Sequence, residues 1–91
     1  MNNLPFKQID LGANQYLREF PENVDSNELE WHRDREDRIV EVVQNKDWLF
    51  QMDNELPILL KQKLFIPKET YHRVIKGTGK LIVKITKLVN K

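Results

Sequence analysis

The sequence predicts an all-β fold, and three observations carry that reading. Short apolar runs alternate with polar residues at a period of two, β-branched and aromatic residues gather in those runs, and turn residues recur at close spacing. About seven short strands in a chain of 91 residues form the pattern of an antiparallel sandwich or barrel.

Residues 1–28 read as an irregular or short-strand N-terminal arm. Pro5, Gly12, Pro21 and the polar run Glu22-Asn23-Val24-Asp25-Ser26-Asn27 interrupt any long element. A short helix over residues 14–20 is the alternative there. Residues 28–34 read as the first strand of the body. Arg38, Val40 and Val42 then alternate with Ile39, Glu41 and Val43, and Gln44-Asn45-Lys46-Asp47 forms a turn. Trp48, Phe50 and Met52 share one face of the next strand, which ends at the turn Asp53-Asn54-Glu55. A short strand over 56–60 begins near Pro57, as suits a strand start or an edge. Lys61-Gln62-Lys63 turns the chain, and Leu64-Phe65-Ile66 leads to Pro67. Residues 71–76 and 80–88 are the last two strands, joined by Gly77-Thr78-Gly79, which reads as a hairpin turn. In the last strand Leu81, Val83 and Ile85 mark the buried face.

Composition limits the functional classes. Hydrophobic content of 40% with 32% charged residues is that of a globular domain, and 91 residues suffice for one domain. We therefore expect a single domain over 1–91, with the arm at 1–28 and the core at 29–88. The chain has no cysteine, which excludes disulfides, thiolate zinc sites, iron–sulfur clusters and cysteine nucleophiles. No leader pattern is visible at Met1-Asn2-Asn3-Leu4-Pro5, and no apolar stretch approaches the roughly 20 residues that span a bilayer. A cytoplasmic protein without membrane contact is the expectation.

The net charge of +1 hides a division. Residues 1–59 hold 6 Lys and Arg against 13 Asp and Glu, whereas residues 60–91 hold 9 against 1. Strands from the two halves that interleave in one sheet would attract one another. Lys76, Lys80, Lys84 and Lys87 could instead present a basic face, but no aromatic residues interleave with them to stack on bases. Nucleic acid is not an expected partner.

The chemistry concentrates in His32, Asp34 and His72. His32 and Asp34 are two residues apart, so on a strand they point to the same side. The chain's only other histidine is His72. Two imidazoles and one carboxylate make the ligand set of a facial metal site that leaves positions open for water, oxygen or substrate. Spacing alone also permits two unrelated strand histidines.

From residue 30 to about 85 the chain resembles a small single-domain cupin. The first cupin motif, His-x-His followed by Glu, corresponds to His32-Arg33-Asp34 with Arg38 near the glutamate position. The second, Pro-x-Gly-x-x-His, corresponds to Pro67-Lys68-Glu69-Thr70-Tyr71-His72. The separation of about forty residues between the histidines suits a compact member. The resemblance implies a jelly-roll barrel holding a divalent transition metal, iron first, with manganese, nickel or zinc as alternatives. Asp34 stands in for the second histidine and still offers a ligand oxygen. Arg38 cannot ligate, because a guanidinium has no acceptor, but by parity it faces the site and could hold Asp34 or a substrate carboxylate. Motif glycines are missing near Asn45 or Lys46, at Gln62 and at Glu69.

The sequence thus predicts a cupin-like jelly-roll barrel with an irregular N-terminal arm, assembled as a homodimer. Its metal ligands are His32, Asp34 and His72, and Arg38, Trp48, Phe50 and Met52 line the pocket for a small-molecule ligand. The function implied is an iron-dependent oxygenase or metal-assisted isomerase of a small polar molecule, or a non-catalytic binding or structural module on the same barrel. The order His-x-Asp then His also resembles that of iron/2-oxoglutarate oxygenases, for which Lys80 or Lys84 would hold the cosubstrate.

Overall fold

The computed structural model describes residues 5–25 and 29–89. Within them the chain forms β1 (Lys7–Gly12), β2 (Gln15–Phe20), β3 (Asp37–Gln44), β4 (Leu49–Met52), β5 (Ile58–Leu59), β6 (Lys63–Ile66), β7 (His72–Ile75) and β8 (Leu81–Leu88). They make two antiparallel sheets, one of five strands in the order β1-β2-β8-β3-β6 and one of three in the order β5-β4-β7. Beyond β3 the chain passes back and forth between the sheets, the path of a jelly roll. Among the described residues no ladder joins one sheet to the other, so the expected barrel is an open sandwich of two sheets.

Strand parity builds the core. Tyr16 and Phe20 of β2, Val40 of β3, Ile66 of β6, and Leu81, Val83 and Ile85 of β8 are buried on one side of the large sheet. Trp48 and Phe50 meet them from the small sheet, and the rings of Phe20 and Trp48 lie 5.7 Å apart. Trp48 and Leu81 are wholly buried, and the Trp48 indole donates to the Gly79 carbonyl at 3.0 Å. Asn45 ties the turn before Trp48 to β5 by donating to the carbonyls of Trp48 and Leu60 and accepting from the Trp48 amide.

The short-strand reading of the N-terminal arm holds and its helix alternative does not: residues 15–20 are a strand, and the arm is a β1–β2 hairpin whose second strand lies inside the large sheet. Its turn places Ala13 and Asn14 at positive φ, as a tight hairpin loop requires, without the Asn-Gly pair that would advertise it. Two expectations are corrected. Residues 29–34 are not a regular strand, and His32 makes only an isolated bridge to His72 (Glu28 lies outside the described residues). Gly77-Thr78-Gly79 is not a hairpin turn, because β7 and β8 belong to different sheets. Gly79 takes a positive φ there, whereas Gly77 serves close approach: a Cβ at that position would overlap Asp47 and the Trp48 backbone nitrogen. The Asp47 carboxylate accepts from the Thr78 amide and hydroxyl across this junction, and those bonds lower its pKa.

The opposed charges interleave as expected. Within the large sheet Lys80 approaches Glu19, Lys84 approaches Glu41 and Lys87 approaches Glu36, each at 3.8–3.9 Å.

Gln62 and Glu69, where the cupin pattern has glycines, both lie in the left-handed region at φ 58° and 57°. The turns are kept while the residue that fits them without strain is gone. Gln62→Gly and Glu69→Gly should each stabilise the protein by about 0.5–1 kcal/mol in urea unfolding, since relief of left-handed strain exceeds the added freedom of the unfolded chain. Gly77→Ala should destabilise it by about 2–3 kcal/mol, the cost of forcing a methyl group into a filled junction. Equal behaviour of all three variants would show that local backbone geometry does not govern these turns.

Candidate metal centre

The site begins with a backbone pair. The His32 amide donates to the His72 carbonyl at 3.0 Å, and the His72 amide donates to the His32 carbonyl at 2.8 Å. Residues paired in this antiparallel manner put their side chains on the same face. The two imidazole rings accordingly meet nearly edge to face, with centroids 4.3 Å apart. A second tie fixes Asp34, whose carbonyl accepts from the Glu69 amide at 2.7 Å. A third runs from the Lys68 amide to the Asp37 carboxylate. The segment around residues 30–37 is thereby fastened to the turn that introduces β7.

His32, Asp34 and His72 each offer a ligand atom, and those atoms all lie within 4.8 Å of one another. His72 is buried, Asp34 is nearly so, and His32 stands at the exposed mouth. The tautomers follow from the neighbours. His72 Nδ1 lies 2.8 Å from the Thr70 carbonyl and His32 Nδ1 lies 3.1 Å from the Glu30 carbonyl. A carbonyl can only accept, so in the neutral imidazoles Nδ1 carries the proton and Nε2 presents its lone pair.

His72 Nε2 faces Asp34 Oδ2 at 3.3 Å. Burial lowers the His72 pKa, opposed by the Thr70 hydrogen bond, so the ring is neutral at neutral pH and the contact is not an ion pair. Two lone-pair atoms therefore confront each other, and Asp34 Oδ2 is buried with no hydrogen-bond partner among the described residues. An oxygen in that position needs a cation or a proton. The donor set fits a divalent transition metal, with neutral imidazole nitrogens, one carboxylate oxygen and backbone carbonyls orienting both rings from behind.

Arg38 takes the other oxygen of Asp34. Its Nη2 lies 3.3 Å from Oδ1, while Nε and Nη2 both donate to Glu36 at 3.1 and 2.8 Å. Both side chains of the Arg38–Asp34 pair are only 12% exposed. The arginine at the position of a ligand glutamate thus orients the carboxylate that remains.

A cavity of about 50 Å³ adjoins these residues between the sheets. Arg38 and Phe50 line it with His32, Asp34 and His72. Of the other residues expected there, Trp48 is packed in the core, and Met52 pairs with His72 in the β4–β7 ladder but does not line the cavity. Lys80 and Lys84 do not line it either and lie beside Glu19 and Glu41. Trp31 and Tyr71 are on the outside, each under an arginine, Arg73 and Arg33 respectively. Sequence reasoning missed Arg18, which lines the cavity from β2. Its signal was parity with Tyr16 and Phe20, visible only if residues 15–20 are read as a strand.

Solved structures share this fold. A cupin-domain protein from Bordetella pertussis aligns over 98% of this chain and 99% of its own, at 17% identity and a TM-score of 0.67. This chain has a cupin fold. An RmlC-like cupin from Shewanella frigidimarina aligns over 94% of this chain and 86% of its own, at 13% identity and a TM-score of 0.58. A DMSP lyase from Ruegeria pomeroyi gives 14% identity and a TM-score of 0.71 over 84% of this chain. The chain spans 38% of that lyase and 35% of a second DMSP-lyase structure. No protein-family model and no curated protein matches the sequence. Among the described residues no helix is long and apolar enough to cross a membrane.

The buried neutral imidazole gives the protein a stability that depends on pH. The folded pKa of His72 is depressed, so as pH falls the unfolded chain takes up the proton first. Its contribution is complete above the ordinary histidine value of about 6.5 and declines as pH drops from there through the lower folded value. Metal-free protein should therefore lose stability as pH falls below about 6.5, and His72→Gln should flatten that slope. Urea unfolding at a series of pH values checks this, and an unchanged slope in the variant would count against a buried neutral His72.

Proposed function

We propose that this chain is a metal-binding cupin in which His32, Asp34 and His72 hold one divalent transition metal beside a small-molecule cavity. The observation that carries the reading is the buried Asp34 Oδ2, unpartnered and 3.3 Å from the lone pair of His72 Nε2. Iron is the first expectation, with manganese, nickel or zinc as alternatives, because nitrogen and oxygen donors of this kind suit all four. Such an ion supplies Lewis acidity or, as iron, activation of oxygen.

The chain's own residues have separable tasks. The carbonyls of Thr70 and Glu30 hold both imidazoles in the tautomer that leaves Nε2 free. Arg38 occupies Asp34 Oδ1, which leaves Oδ2 as the donor. Phe50, Val74 and Ile66 make an apolar wall that excludes water from the space beside the ligands. With two imidazoles and one carboxylate as the whole donor set, positions stay open for a ligand. Iron-dependent oxygenation or metal-assisted isomerisation of a small polar molecule is the chemistry this arrangement suits. The shared fold does not specify the reaction, because unrelated activities occur on it. A non-catalytic module that binds a small molecule is the second reading, favoured by Arg38 in place of a fourth ligand.

Elemental analysis of untagged protein should give near-stoichiometric metal, either as purified or after anaerobic loading. His72→Ala should reduce it at least about tenfold, since one of three ligands is lost. A wild-type protein that takes up none of the four metals would remove the metal reading. Oxygen uptake and product analysis on the loaded protein then separate an enzyme from a binding module.

A further inference from the structure

Arg18 is a charge that the metal centre does not use. It projects from the inward face of β2, between Tyr16 and Phe20 and opposite Val83 of β8. Its guanidinium is held in place: Nε and Nη2 donate to Gln8 Oε1 at 3.2 and 2.9 Å, and its carbon lies 4.0 Å over the Phe6 ring. Nη2 also lies 3.5 Å from the Tyr16 hydroxyl. Among the described residues it forms no ion pair with a carboxylate, and Nη1 makes no hydrogen bond. Arg38, by contrast, is committed to both Asp34 and Glu36.

The position of Arg18 is that of a doorway. It lines the inner cavity, and with Phe6, Glu30 and Trp31 it also lines an outer depression of about 360 Å³. His32, Asp34 and Arg38 border both spaces. A ligand in the outer depression meets Arg18 together with His32 and Asp34, and reaches His72 only in the inner cavity. Charge points the same way. Glu30, Asp34 and Glu36 balance Arg18, Arg38 and Lys87, so a divalent ion would leave positive charge unmatched. Burial works against the Arg18 charge, which makes an anionic partner the more favourable.

Resting on the metal reading above, we propose that Arg18 receives the carboxylate of a short organic acid, and that such an acid is the ligand class of this site. With Nε and Nη2 engaged by Gln8 and Tyr16, Nη1 is the donor left to meet a carboxylate oxygen. The inner cavity, at about 50 Å³, has room for only about four water-sized groups. Its wall of Phe50, Ile66 and Val74 suits a short apolar remainder. The other guanidinium of the cavity, Arg38, is already held by Asp34 and Glu36, so a multiply charged acid meets no second free guanidinium there.

The test is calorimetric titration of metal-loaded protein with acetate, glycolate and propionate, each against its neutral amide, and with inorganic phosphate. Wild type, Arg18→Gln and Arg18→Met are compared; the Met variant keeps an unbranched side chain and the Gln variant a polar one, so one of the two remains usable if the other does not fold. At least one acid should bind about tenfold or more tightly than its amide, and loss of Arg18 should weaken it by about tenfold or more with metal content unchanged. Unchanged acid affinity in the variants, no binding of any acid to loaded wild type, or tighter binding of phosphate than of every acid would each overturn the proposal. Metal content is measured first. A wild type that holds no metal defeats the metal reading by itself, and titration of that metal-free protein then decides the role of Arg18, since Arg18-dependent acid binding upholds it and its absence overturns it.

Discussion

His32 and His72 exchange both of their backbone hydrogen bonds, and the geometry of the site depends on that pair. The bridge is isolated, with no ladder on either side to repeat its register. A shift of one residue would turn one imidazole away from the other. The register is instead held at a distance. The Glu69 amide on the Asp34 carbonyl and the Lys68 amide on the Asp37 carboxylate fasten the same two segments a few residues away. The small sheet completes the frame, because Met52 pairs with His72 and Phe50 packs against its ring at 5.7 Å between centroids. The chain before β3 thus needs no strand of its own to deliver two ligand residues.

Asp34 is the group on which the electrostatics turn. Its two oxygens have different neighbours, a guanidinium on Oδ1 and an imidazole lone pair on Oδ2. A carboxylate whose one oxygen is anchored and whose other is buried and bare is oriented rather than merely present. Arg38 stands where the cupin pattern has a glutamate. A guanidinium cannot donate an electron pair to a metal, but it fixes the Asp34 carboxylate in place. Glu36 in turn holds Arg38 through two donors, so the orientation of Asp34 rests on a chain of charged groups that begins at the base of β3.

The sequence made the grouping of His32, Asp34 and His72 legible because both motifs lie where local pattern and fold agree. His72 opens a real strand, and its partner motif needs only the Pro67 turn before it. The parity argument put His32 and Asp34 on one side from a wrong element, since both residues face His72 from a loop pinned by a bridge. The N-terminal hairpin was not legible. Tyr16 and Phe20 are four apart, a spacing that shares a face on a strand and on a helix alike, so periodicity could not choose. The choice decides where Arg18 points, because a residue midway between them lies with them on a strand and against them on a helix. The Gly77–Gly79 turn misled for a different reason. Two glycines between alternating runs signal a hairpin locally, but the packing of Gly77 on Asp47 and the change of sheet are long-range facts.

The lost glycines at Gln62 and Glu69 bear on the same question from the other side. Both residues hold the left-handed conformation that glycine would take freely, at a strain of about 1 kcal/mol or more each. Strained residues persist where surrounding contacts over-determine them. At Glu69 those contacts are visible: its amide is bonded to Asp34, its side chain pairs with Arg33 at 3.5 Å, and the adjacent Lys68 amide is held by Asp37. The turn then delivers the Thr70 carbonyl to His72 Nδ1. The turn that these contacts hold is the one that sets the tautomer and direction of His72. A glycine there would relax the backbone but would remove the Arg33 pair, one of the three restraints on the turn. The turn therefore stands without the motif glycine, because hydrogen bonds between the segments that carry Asp34 and His72 hold it.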